Sequence, residues 1–358
     1  MLRSRTIGIS NTRPSVVGTG FIVLDIIVQK SERDSVYLHA GGSCGNVLSV
    51  LAMLGWECWP IGRLGEDAAS SLISEDLKKN GTNTEYVSTE AGLQTPVIIE
   101  YIKPGGIPSH THSYSFRCPN CGSFFPQYRA INKEQAKRTV TNLEEAFVYY
   151  FDRTSPGALF LADYYRSRGS IIVFEPSSIG DTRLFKQALE SAHVLKYSRQ
   201  RLPDLSLTIG EYSVPLEVNT LGPDGLRYRF AKESGPMDAH WTELPAFQVS
   251  RLVDEAGSGD WCTAGFIYSL GRDNCEISMT YEPKVRSALE WGQALAALNC
   301  AFPGARGMMN ALAKDDIITL ANELIKGDHR EVGRKSLVGA TLHSETAQIC
   351  TRCGLKIA

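Results

Sequence analysis

Long apolar runs are missing from this chain: none approaches the ~20 residues that a membrane-spanning helix needs. An excess of one charge is missing too. With 37 Lys and Arg against 39 Asp and Glu, the formal net charge is -2, which argues against a general nucleic-acid binder or a membrane-surface protein. Nine cysteines in 358 residues do not form a disulfide-scaffold pattern. Residues 1–14 carry three arginines and no acid, yet lack the apolar core of a signal peptide. A disordered head and a cytoplasmic address are expected. The usual nucleotide signatures are also absent, with no G-x-x-x-x-G-K-[ST] loop, no G-x-G-x-x-G after a strand, and no H-R-D or D-F-G.

What is present is ordinary globular material, 43% hydrophobic and 21% charged. The length fits one large α/β domain or two smaller ones. Residues 16–28 read as strand, broken by Gly18 and Gly20, with Asp25 alone among apolar neighbours. Residues 37–55 read as a glycine turn opening a helix, with Asn46 in its first turn and Val47, Leu51 and Leu54 on one face. A strand at 57–61 and a helix ending near Asn80 come next, then a strand at 95–102. From 147 onward strands (147–151, 171–174, 194–196, 216–220, 226–230) alternate with helices (155–168, 182–191), and helices at 259–270 and 285–300 close the core. Alternating units of this kind predict a mostly parallel sheet with helices on both faces, and ligands at the carboxyl ends of its strands. Residues 103–128 fit no regular element and read as a functional lid or a metal-tied loop.

The stretch Val253 to Ile267, VDEAGSGDWCTAGFI, is the most informative. Ala256, Gly257, Ser258 and Gly259 let the backbone turn tightly and bring N–H groups close to a ligand. A helix starting near Gly259 adds its unpaired N–H groups and positive dipole end, which makes an anion site. A carboxylate at that rim repels what the site binds, unless Asp260 is a base drawing a proton from a hydroxyl while amides hold a phosphoryl group. The plainer alternative is a Gly-rich turn with Asp as a helix-start residue.

Four cysteines come as two pairs, Cys118-Pro-Asn-Cys121-Gly and Cys350-Thr-Arg-Cys353-Gly. Each resembles one knuckle of a zinc ribbon, and two such turns complete a closed Cys₄ structural site. Zinc on Cys118, Cys121, Cys350 and Cys353 is expected, clipping the tail to the insert within one subunit or between two. Free thiols or a redox dithiol are the alternatives. His110 and His112 are further candidate ligands, or polar loop residues.

Several motifs together resemble the PfkB (ribokinase-like) family of carbohydrate kinases. They are Ala40-Gly41-Gly42-Ser43-Cys44-Gly45-Asn46 running on to Ile61-Gly62-Arg63-Leu64-Gly65-Glu66-Asp67, Thr220-Leu221-Gly222-Pro223-Asp224-Gly225, Asp254 to Ile267, and Asn299 to Gly304. Phe174-Glu175-Pro176-Ser177 and Val194 to Ser198 fall where that family has comparable strand ends. The resemblance implies an α/β, ribokinase-like sandwich with a mostly parallel central sheet flanked by helices, plus a small β lid. The kinase domain would occupy 14–330, with lid segments 28–40 and 95–131 inside it, and 331–358 would form the tail. It implies ATP-dependent transfer of a phosphoryl group to an alcohol hydroxyl of a sugar-like substrate, with Mg²⁺ bridging phosphates. Asp25, Gly41, Gly42 and Asn46 would hold the substrate; Asp260 would be the base, with the amides of Ala256, Gly257, Ser258 and Gly259 stabilising charge. Thr220, Gly222, Gly225 and Asn299 would line the ATP pocket, and the lid could pair two subunits into a homodimer.

Two departures from the family stand out. Glu255 follows Asp254 where a Thr or similar residue is usual. The family's Asn-x-x-Glu, tied to Mg²⁺ and phosphate, should fall near Ser198, where Ser198-Arg199-Gln200-Arg201 stands, so arginines could contact phosphate there. Two alternatives stay open: a nucleoside kinase, with Tyr114, Phe116, Phe124 and Phe125 available to stack on a base, and a zinc-bearing binding or regulatory protein on a weakened kinase scaffold.

Overall fold

A computed structural model describes residues 13–29, 35–102, 112–203, 205–232, 235, 237–248, 251–271, 282–327 and 347–357. The chain runs through β1 (Ser15–Thr19), β2 (Val23–Gln29) and β3 (Ser35–Gly41) into α1 (Ser43–Met53). Then come β4 (Glu57–Gly65), α2 (Ala68–Lys79), β5 (Val87–Glu90), β6 (Val97–Ile102), β7 (His112–Ser115) and α3 (Lys133–Asn142). An alternating stretch follows: β8 (Val148–Phe151), α4 (Pro156–Ser167), β9 (Ile171–Phe174), α5 (Thr182–Ser191), β10 (Val194–Ser198), the short α6 (Leu205–Ile209) and β11 (Leu216–Thr220). A 3-10 turn at Gly222–Asp224 leads to β12 (Leu226–Phe230) and β13 (Thr242–Leu244). Helices α7 (Ser258–Gly271), α8 (Glu282–Asn299), α9 (Gly307–Ala311) and α10 (Lys314–Ile325) precede a tail hairpin, β14 (Ala347–Gln348) and β15 (Lys356–Ile357).

The large sheet has the order β13-β12-β11-β10-β9-β8-β1-β4-β5. It is parallel from β5 to β11 and antiparallel across β11, β12 and β13. Its central strands are apolar and buried on both faces, as VYYF in β8 and IIVF in β9 show, which is what a sheet covered by helices on both sides requires. One face carries Val17, Tyr149, Phe151, Ile172 and Phe174 into a core shared with α4 and α5. The other carries Val16, Tyr150, Val173 and Val194 against α1, α7 and α8. There α7 and α8 cross closely because Gly265 faces Gly292; a Cβ on Gly292 would lie 2.4 Å from the Cys262 carbonyl oxygen.

The stretch 16–28 is two strands in two sheets. Gly20, at φ 150, sits in the break between them. Beyond it β2 joins the small sheet, ordered β3-β2-β6-β7, with β2 and β6 parallel and the rest antiparallel. The irregular insert also contains one strand, β7, and an Arg117–Phe124 bridge that closes the first cysteine knuckle. Because β1, β4 and β8 to β11 run parallel, their carboxyl ends share one edge of the large sheet.

Candidate active site

The small-residue turn is held from beneath. Asp254 is fully buried; its Oδ1 accepts the Ala256 N–H at 3.1 Å and its Oδ2 the Gly304 N–H at 2.7 Å. His112 of β7 adds its Nδ1 at 2.8 Å. Burial opposes ionisation of Asp254, but the His112 hydrogen bond and these two amides outweigh it and hold the carboxyl below its ordinary value. Gly257 has φ 71, and a Cβ there would lie 2.5 Å from the Cβ of Ala305, so only glycine fits. Trp261 locks the other side, its indole N–H donating to the Ala305 carbonyl at 2.8 Å. Helix α7 begins at Ser258, which aims its first N–H groups and dipole end at the turn.

Asn299 helps support this turn. It is fully buried, donates from Nδ2 to the Ala256 carbonyl at 3.1 Å, and accepts the Met308 N–H at 3.3 Å. Both ends of its amide are therefore engaged inside the protein.

Asp260 sits in the first turn of α7, half-buried. Burial and the neighbouring Glu175 anion push its carboxyl up to about 7, against Asn46, Arg201 and Lys196, which pull it down. Asn46 is the hinge of the site. Its Nδ2 donates to Asp260 Oδ2 at 2.7 Å while its Oδ1 accepts from Arg306 Nε at 3.1 Å. Arg306, fully buried, also donates to Asp76 Oδ2 at 2.6 Å and to the Gly45 carbonyl at 3.0 Å.

Asp25 lies across from Asp260 on β2. Burial raises its carboxyl to about 7, with Arg306 and the Gly42 N–H opposing. Gly41 makes room for it, since a Cβ on Gly41 would lie 1.7 Å from Asp25 Oδ2. Gly42 caps α1 at φ 81, and a Cβ there would strike the Phe21 carbonyl at 2.3 Å. The structure thus brings Asp25, Gly41, Gly42, Asn46 and Asp260 together around Arg306.

Behind Asp260 lies a network that the motifs alone do not reveal. Lys196 of β10 is buried and donates to Glu175 Oε1 at 2.5 Å and to the Gly259 carbonyl at 3.1 Å. Glu175 also accepts from Thr263 Oγ1 at 2.7 Å and Tyr150 Oη at 3.1 Å. The carboxyl end of β9 is thereby tied to the turn. Sequence signals for Glu175 and Lys196 existed in their strand-end placement, but nothing in one dimension pairs them. Arg306 gave no signal at all.

Thr220 ends β11, and its hydroxyl donates to the Tyr197 carbonyl at 3.5 Å. Gly222 opens the 3-10 turn, which closes through Gly225 N–H to Gly222 and Leu221 N–H to Gly225 at 3.0 and 2.7 Å. Strand pairing sets Thr220 beside Ser198, so this turn adjoins the Ser198–Arg201 segment. Arg199 there pairs with exposed Asp224 at 3.1 Å.

The cysteine pairs meet. Cys118 and Cys353 place their Sγ atoms 3.6 Å apart and Cys121 and Cys350 theirs 3.8 Å apart. All four lie within 4.8 Å of one another. Burial raises the Cys118 thiol, whereas the Ser123 hydroxyl and N–H lower that of Cys121. His112 is held by Asp254 instead, and His110 lies outside the described residues. Of the insert aromatics, Phe125 is buried in the core and Phe124 lies exposed under Arg117; Tyr114 feels the charges of Asp25, Asp254 and Asp260.

The family model described as pfkB family carbohydrate kinase matches residues 13–106, which hold Asp25, the glycine turn and Asn46. Over these residues the chain is similar to pfkB family carbohydrate kinases. Curated relatives of the chain include a probable fructokinase-5 of Arabidopsis thaliana, 22% identical over 82% of this chain and 93% of its own. Another is an aminoimidazole riboside kinase of Salmonella typhimurium, 25% identical over 81% of this chain and 87% of its own. Among solved structures, a fructokinase with bound ATP from Xylella fastidiosa superposes with a TM-score of 0.67 at 17% identity, covering 87% of this chain and 99% of that one. The aminoimidazole riboside kinase of Salmonella enterica, complexed with its riboside and an ATP analog, gives 0.62 at 20% identity, covering 86% and 100%. The chain therefore has the ribokinase-like α/β fold, a mostly parallel sheet with flanking helices. Among the described residues, no helix is long and apolar enough to cross a membrane.

Proposed function

We propose that this protein is an ATP-dependent kinase that phosphorylates an alcohol hydroxyl of a sugar or sugar-like molecule. The observation that carries the reading is the Asn46–Asp260 hydrogen bond of 2.7 Å, which joins the Asp25 side of the site to the amide-lined turn. In this reading Asp25, Gly41, Gly42 and Asn46 position the acceptor. Asp260 takes the proton of its hydroxyl, the oxygen forms a bond to the γ-phosphorus, and the bond from phosphorus to the β-phosphate oxygen breaks, releasing ADP. The amides of Ala256 to Gly259 meet the charge on the transferring group, and positioning plus charge stabilisation is most of what this chemistry needs. Thr220, Gly222 and Gly225 line the nucleotide side, while Asn299 keeps the turn in shape.

Mg²⁺ supplies charge neutralisation on the triphosphate when bound. The donor set on the protein is thin, because Glu175 is engaged by Lys196, Thr263 and Tyr150. Glu255, next to the turn in sequence, would be the carboxylate available to help hold the ion, and Arg201, whose charge acts on Asp260, would contact phosphate. Release of ADP across a panel of sugars and nucleosides with Mg-ATP tests the activity. Asp260→Asn is expected to lower kcat by roughly 10²–10⁴-fold and leave ATP binding in place; near-normal turnover removes Asp260 from the mechanism.

We also propose that Cys118, Cys121, Cys350 and Cys353 hold structural zinc. A tetrahedral site with Zn–S bonds of about 2.3 Å sets its sulfurs about 3.8 Å apart, close to the spacings between the two pairs. One equivalent of zinc in the purified protein, absent from a Cys350→Ser/Cys353→Ser variant, is the expected result. Metal-free wild type rejects the assignment.

A further inference from the structure

Strand register puts an unexplained carboxylate on the same face as Asp25. In the small sheet Asp25 pairs with Ile98, and Ile27 pairs with Glu100, so Asp25 and Glu100 share a face two residues apart. Across the next ladder Glu100 pairs with Tyr114 and Ile102 with His112, which adds both rings to that face. Glu100 is only 2% exposed, and among the described residues its Oε1 has no hydrogen-bond partner. Burial, with the Asp254 and Asp25 charges nearby and a side-chain hydrogen bond to Asp254, drives its carboxyl well above the ordinary range. A buried acceptor left without a donor is costly to the fold, and such a group beside a substrate site points to a donor arriving with the ligand.

Two occupants compete for it. A metal ion is one, since ligand atoms of Glu100, His112 and Asp254 lie within 4.8 Å of each other. Asp254, however, already accepts from Ala256, Gly304 and His112, so an ion would have to break the clamp on the anion turn. An organic donor needs only Glu100. Arg306, the cation that acts on Asp25, is engaged by Asn46, Asp76 and Gly45, which leaves little counter-charge at this end for an anionic substrate.

We propose that Glu100 is a substrate-binding residue whose Oε1 accepts from a hydroxyl or ammonium group of the acceptor molecule. The substrate is thus a donor-rich sugar derivative, neutral or positively charged at this end, and one carrying a carboxylate or phosphate there is rejected. This rests on the kinase reading above and narrows it.

The test compares wild type with Glu100→Gln on neutral hexoses and pentoses, an amino sugar, a nucleoside, a sugar acid and a sugar phosphate. Turnover is read with Mg-ATP and binding by calorimetry without nucleotide. Expected are turnover of a neutral or aminated compound, refusal of the anionic ones, and a KM in Glu100→Gln raised about 10- to 100-fold with kcat and the KM for ATP little changed. A well-folded Glu100→Gln with unchanged sugar KM overturns the proposal, as does a wild type that prefers the sugar acid or phosphate. Mn²⁺ binding to nucleotide-free protein that disappears in Glu100→Gln also overturns it, in favour of an ion. If no compound is phosphorylated but a neutral or amino sugar binds and Glu100→Gln weakens that binding, the kinase reading fails and this one stands. If nothing binds, both fail.

Discussion

Asp260 carries a carboxyl pushed up to about 7, which acts in opposite directions on catalysis and on stability. A base must be unprotonated, so kcat/KM should fall about tenfold per pH unit below ~7 and level off above it. A profile flat down to pH 5 would show that Asp260 does not limit the rate. For folding, the native group keeps its proton to about pH 7, while an unfolded Asp releases it near ~3.9. The native state therefore binds more protons between these values, and stability declines as pH rises through that window. Asp260→Asn removes this cost. Urea melts should find it more stable than wild type by about 1–3 kcal/mol at pH 8, with the gain shrinking toward pH 4. Glu175 supplies part of the upward push, so Glu175→Gln should move the acid limb of the rate profile to lower pH. It also leaves Lys196 buried without its carboxylate partner, at a cost of about 3–5 kcal/mol. A merely structural Glu175 would lower stability without moving the limb.

At the scale of elements, the active turn is only as well placed as α7, and α7 is placed by its crossing with α8. Gly292→Ala would set a Cβ 2.4 Å from the Cys262 carbonyl oxygen, forcing the helices apart. We expect a loss of about 1–3 kcal/mol in thermal melts and slower turnover; an unchanged melting temperature would mean the crossing yields freely. The elements themselves were legible because apolar runs such as IIVF of β9 and the glycine turns state their own geometry. The division of residues 16–28 between two sheets was not, because β1 and β2 are both apolar and only tertiary pairing tells them apart. In the candidate site, Asn46 and Asp260 were legible from their glycine-rich settings and Asp25 as a lone acid among apolar neighbours. Arg306 was not, since it meets Asn46 across 260 positions and stands in a segment without a recognisable pattern. The bonds that Asn299 makes to Ala256 and Met308 were not legible either, because its neighbourhood in sequence says nothing of which way its amide is used.

On the scale of the molecule, the tail and the insert are joined twice, by the cysteine cluster and by apolar docking. Ile349 and Cys350 are buried in the larger core, and Gln94 Nε2 donates to the Thr351 hydroxyl at 3.0 Å. Burying one Ile contributes about 1.5–3 kcal/mol, too little to order a hairpin whose two strands span two residues each. Zinc at a Cys₄ site contributes on the order of 10–16 kcal/mol, comparable with the whole stability of an ordinary domain, ~5–15 kcal/mol. The metal should therefore decide whether the tail and the 112–125 segment are ordered. The sheets and helices from β1 to α10 have cores of their own. In a Cys350→Ser/Cys353→Ser variant, hydrogen exchange should quicken in 112–125 and 347–357 and stay unchanged in β8, β9 and α7. Because β7 carries His112, the loosening should also reach the Asp254 clamp and raise the KM for the acceptor. Global unfolding of the variant would instead make the metal part of the core's own stability. Unchanged exchange in both segments would leave apolar docking as the sole tie between tail and insert.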